Sequence, residues 1–185
     1  MSETRVLELL KQIARGEQPA MRALYLEFSG KVHAYVANHS RDAARAEEIV
    51  VDTFHEVWRH PERFRGESRF STWVIGIARY KMLSALRSAD PQHEDIDDFG
   101  ETLAAEQQDV FTGLADRQRR EGVMNCMQKL STEHRECLFL VFYEGMNLAE
   151  VASVQACPEG TVKSRLHHAK ASIRNCLQAL LRRES

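Results

Sequence analysis

The sequence predicts an all-α protein built from two small helical domains. Three observations lead there. Apolar residues recur at intervals of three and four through most of the chain, the spacing that lines one side of a helix. No convincing run of strand-like alternation occurs. The four prolines, Pro19, Pro61, Pro91 and Pro158, fall at or between the ends of the periodic runs, where a missing backbone N–H does least harm.

The elements follow in order. Ser2 is an N-cap candidate for a first helix whose apolar face is Val6, Leu9, Leu10 and Ile13, and Gly16 stops it. Pro19 opens a second helix through Leu24, Phe28, Val32, Tyr35 and Val36, closed by Asn38-His39-Ser40. Asp42 begins a third, with Val50, Phe54, Val57 and Trp58 as its buried stripe up to Pro61. A polar turn from Phe64 to Ser71 leads into a fourth helix over about Thr72 to Arg87. A further helical run restarts near Gly113, with Leu114, Val123, Met127 and Leu130 as core candidates, and three more helices follow it.

At 185 residues and 43% hydrophobic, the chain is long enough for one medium domain or two small ones and too apolar for wholesale disorder. Its formal net charge of -2 is an average over unlike parts. Residues 91–121 carry nine acidic against three basic side chains, a net of -6, whereas residues 1–90 and 122–185 each come to +2. The division expected is therefore a domain over 1–90, an acidic linker over 91–112 too poor in apolar residues to repay its own ordering, and a second domain over 113–185. The last 25 residues alone reach +5.

No apolar run approaches the roughly 20 residues that span a bilayer, and no signal-peptide core follows Met1, so no membrane insertion and a cytoplasmic location are expected. Cys126, Cys137, Cys157 and Cys176 form no C-x-x-C pair and fall in apolar-periodic stretches, which reads as small buried hydrophobes in a reducing compartment. The eight histidines show no H-x-x-x-H spacing, and no phosphate-cradling glycine loop stands out. No metal, cofactor or enzymatic activity is expected.

Two constellations carry chemistry. Near the C-terminus, a short helix over Asn147 to Gln155, a turn at Ala156-Cys157-Pro158 and a long helix from Glu159 have helix-turn-helix spacing. On a helical wheel Val162, Leu166, Ala169, Ile173 and Leu180 face inward, while Thr161, Ser164, Arg165 and His168 form a polar cluster suited to base edges in a major groove. Lys163, Lys170 and Arg174 lie on a third side and suit phosphates. In the N-terminal half, Glu48, Asp52 and Glu56 recur at every fourth residue as an acidic stripe. Downstream, Arg65, Arg69, Phe70, Trp73, Arg79, Tyr80, Lys81 and Arg87 interleave cations with rings, the combination that holds a single strand. Thr72, Gly76, Tyr80, Ser84 and Arg87 fall on one helix face.

Several of these stretches resemble one family. Ala46-Glu47-Glu48-Ile49-Val50-Val51-Asp52-Thr53-Phe54 with Val57-Trp58, the run Phe64-Arg65-Gly66-Glu67-Ser68-Arg69-Phe70-Ser71-Thr72-Trp73, Tyr143-Glu144-Gly145, and Gly160-Thr161-Val162-Lys163-Ser164-Arg165-Leu166 are similar to motifs of the extracytoplasmic-function (ECF) sigma factors of bacterial RNA polymerase. The resemblance implies that residues 1–90 form sigma region 2, with Glu48, Asp52 and Glu56 on core polymerase. It implies that Arg65, Arg69, Phe70, Thr72, Trp73, Arg79, Tyr80, Lys81 and Arg87 meet the melted minus-ten element. Residues 113–185 would be region 4, reading minus-thirty-five DNA with Glu159, Thr161, Lys163, Ser164, Arg165, His168 and Lys170. It further implies an anti-sigma partner, which in a membrane-bound form would hold the chain at the inner membrane, and a tether whose acidic run from Glu94 to Asp109 mimics nucleic-acid charge. The chain departs from the family pattern at Val51 for Gln, Tyr80 for Asn, Ser84 for Asp, Ser131 for Pro, Ala156 for Gly and His168 for Arg. A stand-alone helix-turn-helix regulator would share the C-terminal helix but would not need the ring-and-cation loop from Phe64 to Trp73.

Overall fold

The structure, a computed structural model, describes residues 1–39, 43–89 and 122–182, and its regular elements there are all helical. The first bundle contains α1 (Glu3–Ala14), α2 (Gln18–His39), α3 (Ala43–Arg59), a 3-10 turn (Pro61–Arg63) and α4 (Phe70–Ala89). The second contains α5 (described over 122–128), α6 (Thr132–Leu138) running into a π-helical turn (Phe139–Tyr143), α7 (Leu148–Gln155) and α8 (Glu159–Leu181). The linker at 91–112 with its acidic run, the restart near Gly113, Leu114 and the start signal Asp42 lie outside the described residues.

Local chemistry explains the ends. Ser2 Oγ accepts from the backbone N–H of Arg5 at 3.3 Å, capping α1, and Gly16 turns the chain at φ +83°, a conformation open to glycine. Pro19 is the second residue of α2, where its absent N–H has no partner to lose. Helix α4 starts two residues earlier than its periodicity suggests: Glu3 of α1 accepts the Phe70 N–H at 3.1 Å, so its cap comes from another helix. Ser131, where the family has proline, caps α6 by accepting the His134 N–H at 3.4 Å.

Most apolar faces expected from periodicity meet, but Val123 of α5, expected in the core, is exposed, and Trp58 and Met127 are half-buried. Val6, Leu9, Leu10, Ile13, Leu24, Phe28, Val32, Val36, Val50, Phe54 and Val57 are all buried. Phe70 lies between Phe28 and Phe64, with ring centroids 4.8 and 5.4 Å away in edge-to-face contact. In the second bundle Leu130, Val151, Val162, Leu166 and Ala169 close a smaller core. The two cores are continuous: α4 packs on α7, and the Phe139 ring stands 6.1 Å from Tyr35 and 5.8 Å from His39 of α2.

The cysteines depart from expectation. Cys126 and Cys176 form a disulfide with Cα atoms 5.8 Å apart, stapling α5 to α8 across 50 residues of sequence. They stand on facing sides of two packed helices, a relation that sequence spacing does not disclose. Cys137 is a buried thiol and Cys157 a half-buried one. Among the described residues, no helix is long and apolar enough to cross a membrane.

Candidate nucleic-acid interface

The acidic stripe lies on α3. Glu48 and Asp52 are exposed, while Glu56 is half-buried and accepts from Arg63 Nη1 at 2.5 Å. The stripe is thus two outward carboxylates and one already paired.

The ring-and-cation loop leads into α4. Gly66 takes φ +73°, bending the loop as it leaves the Phe64 anchor. Arg65, Tyr80 and Arg87 are exposed, Tyr80 by 67%, and Lys81 is half-buried. Trp73 is half-buried with its ring 5.3 Å from Phe64 and 5.6 Å from Phe70. Phe70 itself is 0% exposed, so its ring is a core anchor and offers no stacking surface to a base. Thr72, Trp73, Gly76, Tyr80 and Lys81 line a cleft of about 390 Å³, whose opposite wall includes Ser153 and Val154 of α7.

Outside that cleft the bundles are joined by carboxylates of the second meeting cations of the first. Arg69 donates from Nε to Glu150 Oε1 at 2.5 Å and from Nη2 to Glu150 Oε2 at 2.6 Å, with a third bond from Nη2 to the Gly145 carbonyl at 3.1 Å. Thr72 Oγ1 donates to Glu150 Oε1 at 3.0 Å. These bonds, Arg69's first, hold the Glu150 carboxyl below the ordinary carboxylate range, and the Glu150 pairing raises Arg69 in turn. Deeper in, Arg79 Nε donates to Glu136 Oε1 at 3.0 Å, Tyr35 donates its hydroxyl to the same oxygen, and Gln155 Nε2 donates to Glu136 Oε2 at 2.7 Å. Burial pushes the Tyr35 hydroxyl well up, the Glu136 carboxylate adding to it, and burial also raises Glu144, which faces Lys31 at 3.8 Å. Nothing in the sequence marked Glu136, Glu144 or Glu150 as partners of Arg79, Lys31 and Arg69, because each is an ordinary charge in its own helix.

The helix-turn-helix is built from α7 and α8. Asn147 and Glu150 cap α7 reciprocally: Asn147 Oδ1 accepts the Glu150 N–H at 2.9 Å and Glu150 Oε2 accepts the Asn147 N–H at 2.9 Å. Ala156 ends α7 at φ +51°, in the left-handed position usually given to glycine. On α8, Glu159, Lys163, Ser164, His168 and Lys170 are exposed and Thr161 is half-buried, while Val162, Leu166 and Ala169 are buried, in agreement with the helical wheel. Lys170 Nζ stands 5.0 Å over the exposed Phe142 ring. Arg165 is more constrained than expected: half-buried, it donates from Nη1 to Gln155 Oε1 at 2.8 Å and approaches the Cys157 sulfur at 3.6 Å. His134 of α6, which sequence reasoning missed, joins this face with its ring 6.3 Å from that of His168.

A helix-turn-helix with an exposed polar face, packed behind a bundle that carries a ring- and cation-lined cleft, defines a two-module protein that handles DNA in transcription. Residues 24–92 match the family model described as Sigma-70 region 2, and residues 120–173 match Sigma-70, region 4. The chain belongs to the ECF RNA polymerase sigma factors, a family of transcription initiation factors. It is 33% identical over 170 residues to the ECF RNA polymerase sigma factor SigL of Mycobacterium tuberculosis, covering 90% of this chain and 94% of that one. It is 30% identical over 174 residues to SigK of Mycobacterium ulcerans, covering 92% of each. The fold is shared with the sigma factor RpoE of Bartonella quintana, solved in complex with the anti-sigma factor NepR (TM-score 0.66, 22% identity, 85% of this chain and 96% of that one). It is shared as well with CnrH, solved with the cytosolic domain of CnrY (TM-score 0.67, 22% identity, 95% and 98%).

Proposed function

We propose that this sigma factor binds core RNA polymerase through the α3 face carrying Glu48, Asp52 and Glu56, and carries the enzyme to promoters of two-part sequence. Arg65, Arg69, Thr72, Trp73, Arg79, Tyr80, Lys81 and Arg87 engage the melted minus-ten strand, with Phe70 holding the loop from beneath. Glu159, Thr161, Lys163, Ser164, Arg165, His168 and Lys170 read duplex DNA at minus-thirty-five. The domain limits go with these roles: 1–90 for the first, 113–185 for the second and 91–112 as the tether. The observation that carries the reading is α8, whose buried face packs the domain while its exposed first turns present small polar and basic side chains of groove-reading type.

The working place is the cytoplasm, where the polymerase is. An anti-sigma protein is the expected regulator, by analogy with the two solved complexes. Run-off transcription with purified core enzyme and a promoter found by start-site mapping tests the proposal. Arg165→Ala should weaken upstream duplex binding by about 1–3 kcal/mol and leave binding to core unchanged. Promoter use identical to wild type would remove α8 from the reading role.

A further inference from the structure

We propose that His134 of α6 and His168 of α8 together grip one backbone phosphate of the upstream duplex, each donating a ring N–H in its charged form, so that promoter binding tightens as pH falls. The inference rests on the assignment of α8 to that duplex.

Geometry supports the pairing. His168 is exposed one turn beyond Ser164 and Arg165, on the same polar side of α8. A recognition helix meets base edges with its first turns, so a residue further along lies where the helix leaves the groove and passes the backbone. His134 reaches that place from the neighbouring helix, its ring centroid 6.3 Å from that of His168. An oxyanion accepting an N–H from each ring at about 2.8 Å holds the centroids roughly 6–8 Å apart. One phosphate therefore fits between the rings with little movement. The α6 side of the pair is firmly placed: Ser131 Oγ accepts the His134 N–H, the buried Arg135 donates to the carbonyls of Met127, Gln128 and Leu130, and Gln155 Nε2 donates to the Glu133 carbonyl.

Charge sets the direction with pH. Facing His134 are Glu133 on its own helix and Arg165 and His168 on α8, and His168 also faces the ring of His167 at 5.6 Å. Burial first, then His168, holds His134 below the ordinary imidazole value, with Glu133 opposing and Arg165 adding to the shift. Two charged imidazoles repel each other, and a phosphate between them offsets that repulsion. The bound rings therefore keep their protons to higher pH than the free ones, and the complex takes up protons as it forms. Affinity is gained as pH falls through about 6.5 and lost as it rises. An arginine, which the family pattern has in place of His168, stays charged throughout and brings no such dependence.

The test uses the chain assembled with core polymerase, in phosphate-free buffer, and a fluorescein-labelled duplex carrying the upstream element of the mapped promoter. From pH 8 to pH 6, wild type should bind about fivefold more tightly, and the slope of log affinity against log salt should steepen by about 1. His134→Gln and His168→Gln should each flatten both changes, whereas His168→Arg should bind tightly at pH 8 and vary less with pH. His167→Gln, which removes the neighbouring exposed ring, should keep the wild-type profile. Methylphosphonate substitution, one phosphate at a time, should find a position whose neutralisation weakens wild type at pH 6 but not His134→Gln, which separates a DNA phosphate from a free one. The shared grip is overturned if His134→Gln keeps the wild-type pH and salt profile, or if His167→Gln flattens it equally, as diffuse charge would. Arg165→Ala separates the two ideas. Promoter affinity that it leaves unmoved removes α8 from the duplex and this inference with it, whereas a weakened Arg165→Ala beside an unmoved His134→Gln sinks only the phosphate grip.

Discussion

Arg69, in the loop before α4, and Glu150, in the first turn of α7, meet through two hydrogen bonds although 81 residues separate them in sequence. One family motif is thereby closed against another, the ring-and-cation loop of the first bundle against the helix-turn-helix of the second. The energetics of both bundles can be probed independently of DNA.

Phe70 is fully enclosed between Phe28, Phe64 and Trp73. Phe70→Ala should lower unfolding stability by about 3–5 kcal/mol, read as a drop in urea midpoint. A ring that served DNA alone would leave the midpoint where it was.

The Cys126–Cys176 bridge closes 50 residues, and the chain-entropy relation gives it about 4 kcal/mol. Unfolding of the second bundle with and without dithiothreitol should show that difference, and the Cys126→Ser/Cys176→Ser variant should be insensitive to reductant. Burial pushes the Cys137 thiol up to about 11, so iodoacetamide at pH 8 should leave it unmodified in the native protein, as peptide mass mapping would report.

Ala156 holds φ +51° at the corner of the helix-turn-helix. A Cβ is disfavoured there, and Ala156→Gly should stabilise the domain by about 0.5–1 kcal/mol after the added unfolded-state entropy is subtracted. The thermal midpoint should rise; a fall would mean that the corner gains more from the methyl than it loses.

His39 donates from Nδ1 to the Tyr35 carbonyl at 2.7 Å, while its buried Nε2 has no hydrogen-bond partner among the described residues. Burial holds the imidazole below its ordinary value, opposed by Glu136 and reinforced by Arg135 and Arg79. The ring is neutral in the fold, and the unfolded chain takes up its proton first as pH falls. Stability is therefore full above about pH 6.5 and declines as pH falls from there through the lowered folded value. His134, held low mainly by burial and next by His168, adds a loss of the same sign. Urea midpoints at pH 7.5 and 5.5 should differ, and His39→Leu should leave a shallower dependence.

What the sequence disclosed was local. Val6 to Ile13 on α1 and Val162 to Ala169 on α8 were placed by helical period, and the caps at Ser2 and Gly16 by residue type. Asn147 was expected as the first residue of α7 and is instead its cap. The early start of α4 was not visible because its cap, Glu3, comes from α1. Phe70 stood in a polar loop among arginines and read as a stacking ring, yet the fold turns it inward. Arg165 was placed on the correct side of α8, but its bond to Gln155 depends on the angle between two helices. The Glu136 and Glu150 pairs and the disulfide depend on how whole helices meet, which periodicity within one helix does not encode.

The capping box of α7 has one further consequence. Glu150 faces Arg69 with both oxygens, and one of them also receives the Asn147 N–H, while Asn147 Oδ1 receives the Glu150 N–H. Losing Arg69 leaves both cap bonds in place, so the first turn of α7 keeps its folded start without help from the first bundle.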